Sequence, residues 1–154
     1  MNTAQQIQTS PATAAGISLD DLDNTQLNNI TFDVVVARDD NGDPVSGFKI
    51  VGKNSAEYQS ASNDIRIANI MRASKRQKSI DTSTEDGAKQ VAKQVAENNF
   101  AESMAVVVGW FGFNRNGSAM DFDKEIVGKL LTKYPTWIDQ IQSALNTDAN
   151  FMKV

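Results

Sequence analysis

The run Asp39-Asp40-Asn41-Gly42-Asp43-Pro44 is the first place where residue types and spacing invite chemistry. Asp39, Asn41 and Asp43 stand at alternate positions, as the first three oxygen ligands of a calcium loop do. The sixth position of such a loop needs a sharply turning Gly and is Pro44 here, and no Glu stands at the twelfth. The segment therefore reads as a turn, with Asn41-Gly42 as its hairpin signal. Asp121 and Asp123 have the types of an acid/base pair, but at a helix start they serve as cap and dipole complement. Gly109, Gly112 and Gly117 lie in GWFGFNRNG, which lacks the Lys-Ser/Thr of a phosphate loop and the helix-opening glycines of a dinucleotide fold. The chain has no Cys and no His, which removes disulfides, thiolate nucleophiles, Cys/His zinc sites and imidazole acid/base catalysis. No catalytic, cofactor-binding or metal-ligating residue is assigned, and a non-enzymatic role is expected.

The chain that would position a site is 154 residues long, enough for one domain with a modest core. Its net charge of -4 is uneven. Asp20, Asp21 and Asp23 are the only charged side chains of residues 1–30, and the remainder is close to neutral. A global basic footprint for nucleic acid is thus absent. There is neither a secretory signal pattern nor an apolar stretch of membrane-spanning length. A soluble, intracellular protein without membrane contact is expected.

Residues 1–24 are polar and read as a flexible leader that buries too little surface to offset its ordering entropy. Residues 25–154 read as a single α+β domain, mostly α: an N-terminal β-hairpin packed on four to five helices, ending in an αα unit. TFDVVVAR and GFKIV supply the hairpin at 31–52. A helix is expected over about 54–78, opened by Asn54 with Glu57. Its inner face runs through Tyr58, Ala61, Ile65 and Ala68, while Ile67, Ile70 and Met71 widen the apolar surface and imply contact on a second side. Its last turns carry Arg72, Lys75, Arg76 and Lys78, with Arg66 earlier. This face can grip an acidic partner, or it is a solvated helix end whose cations complement the dipole. A second helix is expected over 83–113, capped by Thr82 or Ser83, although the β-branched run Val106–Val108 is also compatible with a strand. Helices 123–134 and 135–151 follow, with Asp123 as cap, Phe122 as a hydrophobic staple onto Val127, and Pro135 opening the last helix.

Trp110, Phe111 and Phe113 are too close in sequence for one face to hide all three. One or two become anchors for a partner; otherwise Trp110 and Phe113 enter the core and the αα unit covers Phe111. Trp137 lies on a helical stripe and is assigned to the core.

The order of parts after Val106 resembles the C-terminal half of tail assembly chaperones of long-tailed bacteriophages. The residues that carry it are Gly109, Trp110, Gly117, Phe122, Glu125, Leu130, Leu131, Tyr134, Pro135, Asn150 and Phe151. The chain departs from that pattern in its long polar leader and in Asp123-Lys124 where a Ser-Pro helix start is expected. The resemblance implies a protein of the host cytoplasm, absent from the mature virion. It would bind the tape-measure protein and keep it soluble during tube assembly, with the tail tube protein and further copies of itself as additional candidate partners. Trp110, Phe111 and Phe113, with Arg72, Lys75 and Arg76, are the partner-contact candidates. The alternatives are a structural virion component, such as a minor tail or head-tail joining protein, and a regulator that binds nucleic acid through Arg66–Lys78. The last would lose binding steeply with added salt.

Overall fold

The computed structural model describes residues 30–75 and 79–151. The leader expected over 1–24, together with Arg76 and Lys78, lies outside them. Helix accounts for 55% and strand for 21% of the described residues, so the fold is α+β and mostly α.

Strand β1 (Thr31–Arg38) turns into β2 (Pro44–Val51) as an antiparallel hairpin. The turn is built by Asp39, whose Oδ1 accepts from the amides of Asn41 and Asp43, and by Gly42 at φ 86°. The first helix is α1 (Ala56–Lys75). Its start is held by buried Ser55, whose Oγ accepts from the Tyr58 amide, rather than by Asn54 as expected.

The second helix, α2 (Glu85–Val106), is capped by Thr84, not by Thr82 or Ser83: the Thr84 Oγ1 accepts from the Gly87 amide at 3.1 Å. Gly87 is required because a Cβ there would sit 1.9 Å from the Asp81 carbonyl oxygen. The expectation of a helix through 113 is corrected. Helix α2 stops at Val106, and Val107–Phe111 forms strand β3. The cause is local and tertiary together. Val106, Val107 and Val108 carry stiff β-branched side chains, and β2 presents an edge on which they complete a β1-β2-β3 sheet. A bulge at Val108, between the Lys49–Gly109 and Ile50–Val107 pairs, absorbs the change from helix to strand.

Asn114–Arg115 (β4) and Ser118–Ala119 (β5) make a small hairpin whose central Asn116 and Gly117 both have positive φ. Asp123 then caps α3 (Lys124–Lys133), accepting from Glu125 and Ile126 amides as its sequence position requires. The ring of Phe122 meets Trp110 edge-on at 5.6 Å, where a staple onto Val127 was expected. Pro135 opens α4 (Pro135–Leu145), which ends at Leu145 and not at 151. A short 3-10 turn, Asp148–Asn150, then folds Phe151 back into contact with Phe32 and Gly52.

The core lies between one face of the sheet and helices α2 to α4, and it is centred on Phe48, Ile50, Val106, Val107, Val127 and Leu131. Ile141 and Leu145 bring in α4.

Two glycines separate strain from crowding. Gly112 has φ 74° and a Cβ would stand 1.7 Å from the Val45 carbonyl oxygen, whereas Gly117 has φ 80° and open space. Gly112→Ala should cost more than about 2 kcal/mol and Gly117→Ala roughly 1 kcal/mol in denaturant unfolding. Equal losses would refute the packing at Gly112.

Candidate partner-binding site

Alternation along β3 sorts the three neighbouring aromatics. Trp110 lies opposite Phe48 in the sheet and faces the helices, and its Nε1 donates to the Met120 carbonyl at 3.0 Å. Phe113 stacks on Phe48 at 5.5 Å and lies beside Trp110 at 5.2 Å and Trp137 at 6.3 Å. Both therefore belong to the core margin. Phe111 has the opposite parity and packs across Gly47, where a Cβ would be 2.6 Å from its ring. The αα unit does not cover it. Its cover is Lys49, whose ammonium stands 5.7 Å from the ring centroid and also pairs with Asp33 at 3.0 Å. Of the three aromatic candidates, only Phe111 is on the sheet face turned away from the core.

The basic candidates are separate from it. Arg72 faces α2 and approaches Glu97 at 3.7 Å, so it is a helix-helix contact before it is a free cation. Lys75 is exposed at the end of α1, and Arg76 lies outside the described residues. Arg66 donates to Asn63 one turn back. Among the described residues no aromatic ring stacks on Arg66, Arg72 or Lys75.

Helix α1 carries a surface that its charges obscure. It contains no buried residue, although Tyr58, Ala61, Ile65 and Ala68 pack toward α2. Ile67, Ile70 and Met71 lie on the opposite side and are 47%, 63% and 52% exposed. The second apolar side expected from the sequence exists, and no described element covers it. Sequence reasoning placed these residues correctly but did not nominate them.

A third surface was not legible beforehand because three elements build it, α2, α3 and α4. Past the point where α2 meets the core, its Ala92, Val95 and Ala96 continue an apolar line beside Pro135 and Ile138 at the α3–α4 corner. Two adjoining hollows of about 540 and 390 Å³ share Ala96, Pro135 and Ile138, with Phe100 and Leu131 lining the larger. The lining is mostly apolar, with Lys93, Glu97, Asn99, Thr132 and Asp139 also contributing to it, and Val95 is half exposed. Gln142 of α4 holds the far end of this wall, donating to the Asn99 carbonyl and Ser103 Oγ at 3.2 Å each.

Two titratable groups with shifted pKa values, Lys124 and Tyr58, stand at structural posts. Burial pushes the Lys124 ammonium below its ordinary value, with Glu57 opposing, and it donates to the Ala105 and Val107 carbonyls at the helix-to-strand switch. Burial also raises the Tyr58 phenol, aided by Glu102 and opposed by a Ser62 hydrogen bond. Among the described residues no three or more acidic, His or Cys side chains are grouped as metal ligands, and no helix is long and apolar enough to cross a membrane. Comparison with protein-family models, curated proteins and solved structures finds no match in any of the three.

The sorting of aromatics gives a direct check. Trp110→Ala should lower unfolding free energy by about 3 kcal/mol, and Phe111→Ser by less than half as much. A larger loss at Phe111 would place that ring in the core.

Proposed function

We propose that this chain is a non-enzymatic tail assembly chaperone of a long-tailed phage, which binds the tape-measure protein and keeps it soluble while the tail tube forms. The observation that carries the reading is the apolar surface on α1 and beside α2 that no described element covers, on a domain with a core of its own. A tape-measure chain is long and helical, and its apolar stripes aggregate unless another protein covers them. Exposed Ile67, Ile70 and Met71, the hollow at Ala96 and Ile138, and the outward Phe111 are surfaces of the chemistry that task needs. Several residues behind the resemblance make aromatic contacts in the fold: Trp110 on Phe122, Tyr134 on Trp137, and Phe151 on Phe32.

The second reading, a structural virion component, draws on a different observation. Strand β1 is an edge strand, and beside it a hollow of about 440 Å³ is lined by Phe32, Val34, Arg38, Gln140, Ala144 and Thr147. An edge of this kind can pair with a strand of another subunit.

Co-expression separates surface from core. With the wild-type chain, a co-expressed tape-measure protein of the same phage should stay in the soluble fraction. Ile70→Asp, which changes an exposed residue, should leave the chaperone folded and return most of the tape measure to the pellet. A tape-measure protein equally soluble alone, with wild type and with the variant would sink the reading.

A further inference from the structure

Among the described elements, α1 packs extensively on α2 alone, and Ile67, Ile70 and Met71 form a short ridge on the side turned away. The charges beside that ridge are arranged about its middle. Asp64 stands three residues before Ile67, and Lys75 four residues after Met71. The eleven positions from Asp64 to Lys75 make about three helical turns, so both lie on one flank of the ridge. Both are exposed, and neither has an ion-pair partner among the described residues.

We infer that the outer side of α1 is a self-association surface, on which α1 of a second copy lies antiparallel with Ile70 at the two-fold axis.

Symmetry and charge together select the occupant. A two-fold pairing sets a surface against itself, so an acid and a base on one flank must stand equally far from the axis to meet. The midpoint of Asp64 and Lys75 falls beside Ile70, which is also the middle of the apolar ridge. With the axis there, Ile70 meets Ile70 of the second copy and Ile67 meets its Met71. Asp64 then comes level with Lys75 of the second copy, and the same pair forms again on the other side of the axis. The remaining charges of α1 do not oppose this. Arg66 is on the opposite flank, donates to Asn63, and comes level with Ala73 of the second copy. Arg72 is turned to Glu97 of α2, and Glu57 lies beyond the overlap, near Lys124. The chain's own leader suits the ridge less well. Its charged residues, Asp20, Asp21 and Asp23, are all acidic, so they complement Lys75 and leave Asp64 without a cation. Three half-exposed apolar side chains per copy bury far less than the roughly 1,600 Å² of a standard interface, so the dimer is weak and reversible. This inference goes beyond the chaperone reading and does not rest on it. If that reading holds, the second copy covers the ridge until a client helix replaces it.

Sedimentation equilibrium of the full chain, from micromolar to about millimolar concentration, tests this. The wild-type chain should pass from monomer to dimer across that range. Ile70→Asp should keep it monomeric. Asp64→Lys and Lys75→Glu should each weaken the dimer by roughly tenfold, because each turns two attractions into two repulsions, while circular dichroism stays unchanged. The variant carrying both exchanges restores the two ion pairs with their signs reversed, and its dimer should return to near wild-type strength. A chain that is monomeric at every concentration would overturn the inference. So would association indifferent to the single exchanges, or a double variant no stronger than either. A leader seated on the ridge predicts that last result, since its acidic residues gain nothing from the double exchange. Asp64→Lys keeps the ridge itself, so under the chaperone reading it should still hold the tape measure soluble. A dimer as described with an insoluble tape measure would keep the interface and remove the chaperone reading.

Discussion

Phe48 is the point on which the two ends of the chain depend. It is fully buried in the middle of the sheet, opposite Trp110, and it touches Phe113 and Trp137 at 5.5 and 5.8 Å. Those partners come from β3, from the segment after it and from α4. One side chain of the hairpin thus holds three later pieces of sequence. Aromatic pairs of this geometry add about 0.5–1.5 kcal/mol each beyond the area they bury. A two-stranded hairpin alone is marginal in water, so the hairpin needs β3 and the helices as much as they need it.

That dependence explains why α2 cannot continue as a helix. Were Val107 to Phe111 helical, Trp110 would lose its place across from Phe48, and the β2 edge would stay unpaired. The switch at Val106 is secured by Lys124, which reaches from α3 to the carbonyls of Ala105 and Val107 at 3.2 and 2.8 Å. A second consequence is a one-sided sheet. With the helices on the Phe48 face, Phe111, Gly47, Lys49 and Asp33 are left on the other, joined by an ion pair and a cation-π contact. Both are exposed and contribute little to stability, which leaves that face available.

Much of the fold was legible because its signals are local. Asn41-Gly42, Asp123, Pro135 and the alternation of Phe32 to Val36 each act over a few residues, and the hairpin and the last two helices follow from them. The misplaced boundary at Val106 has a physical reason. Helical periodicity upstream and β-propensity in Val106–Val108 conflict, and the decision belongs to the edge of β2, nearly sixty residues away in sequence. The candidate site divides the same way. That one face cannot hide all three neighbouring aromatics followed from their spacing, but which of them leaves the core face, and whether the αα unit covers it, depended on whether the segment was helix or strand. The apolar back of α1 was visible in Ile67, Ile70 and Met71. The groove beside Ala96 was not, since it exists only where α2 passes the Pro135 corner. Arg72 looked like a partner contact because its cluster is basic, and Glu97, which neutralises it, lies on another helix.

Under the chaperone reading proposed above, the apolar surface that no described element covers receives another chain transiently, and the sharpest question is whether this protein leaves when assembly is done. Quantitative mass spectrometry of purified mature particles, paired with deletion of the gene, answers it most directly. The account predicts no peptides of this chain in virions and no tails without it. A fixed copy number in every particle would contradict the chaperone reading and favour a permanent structural role built on the β1 edge.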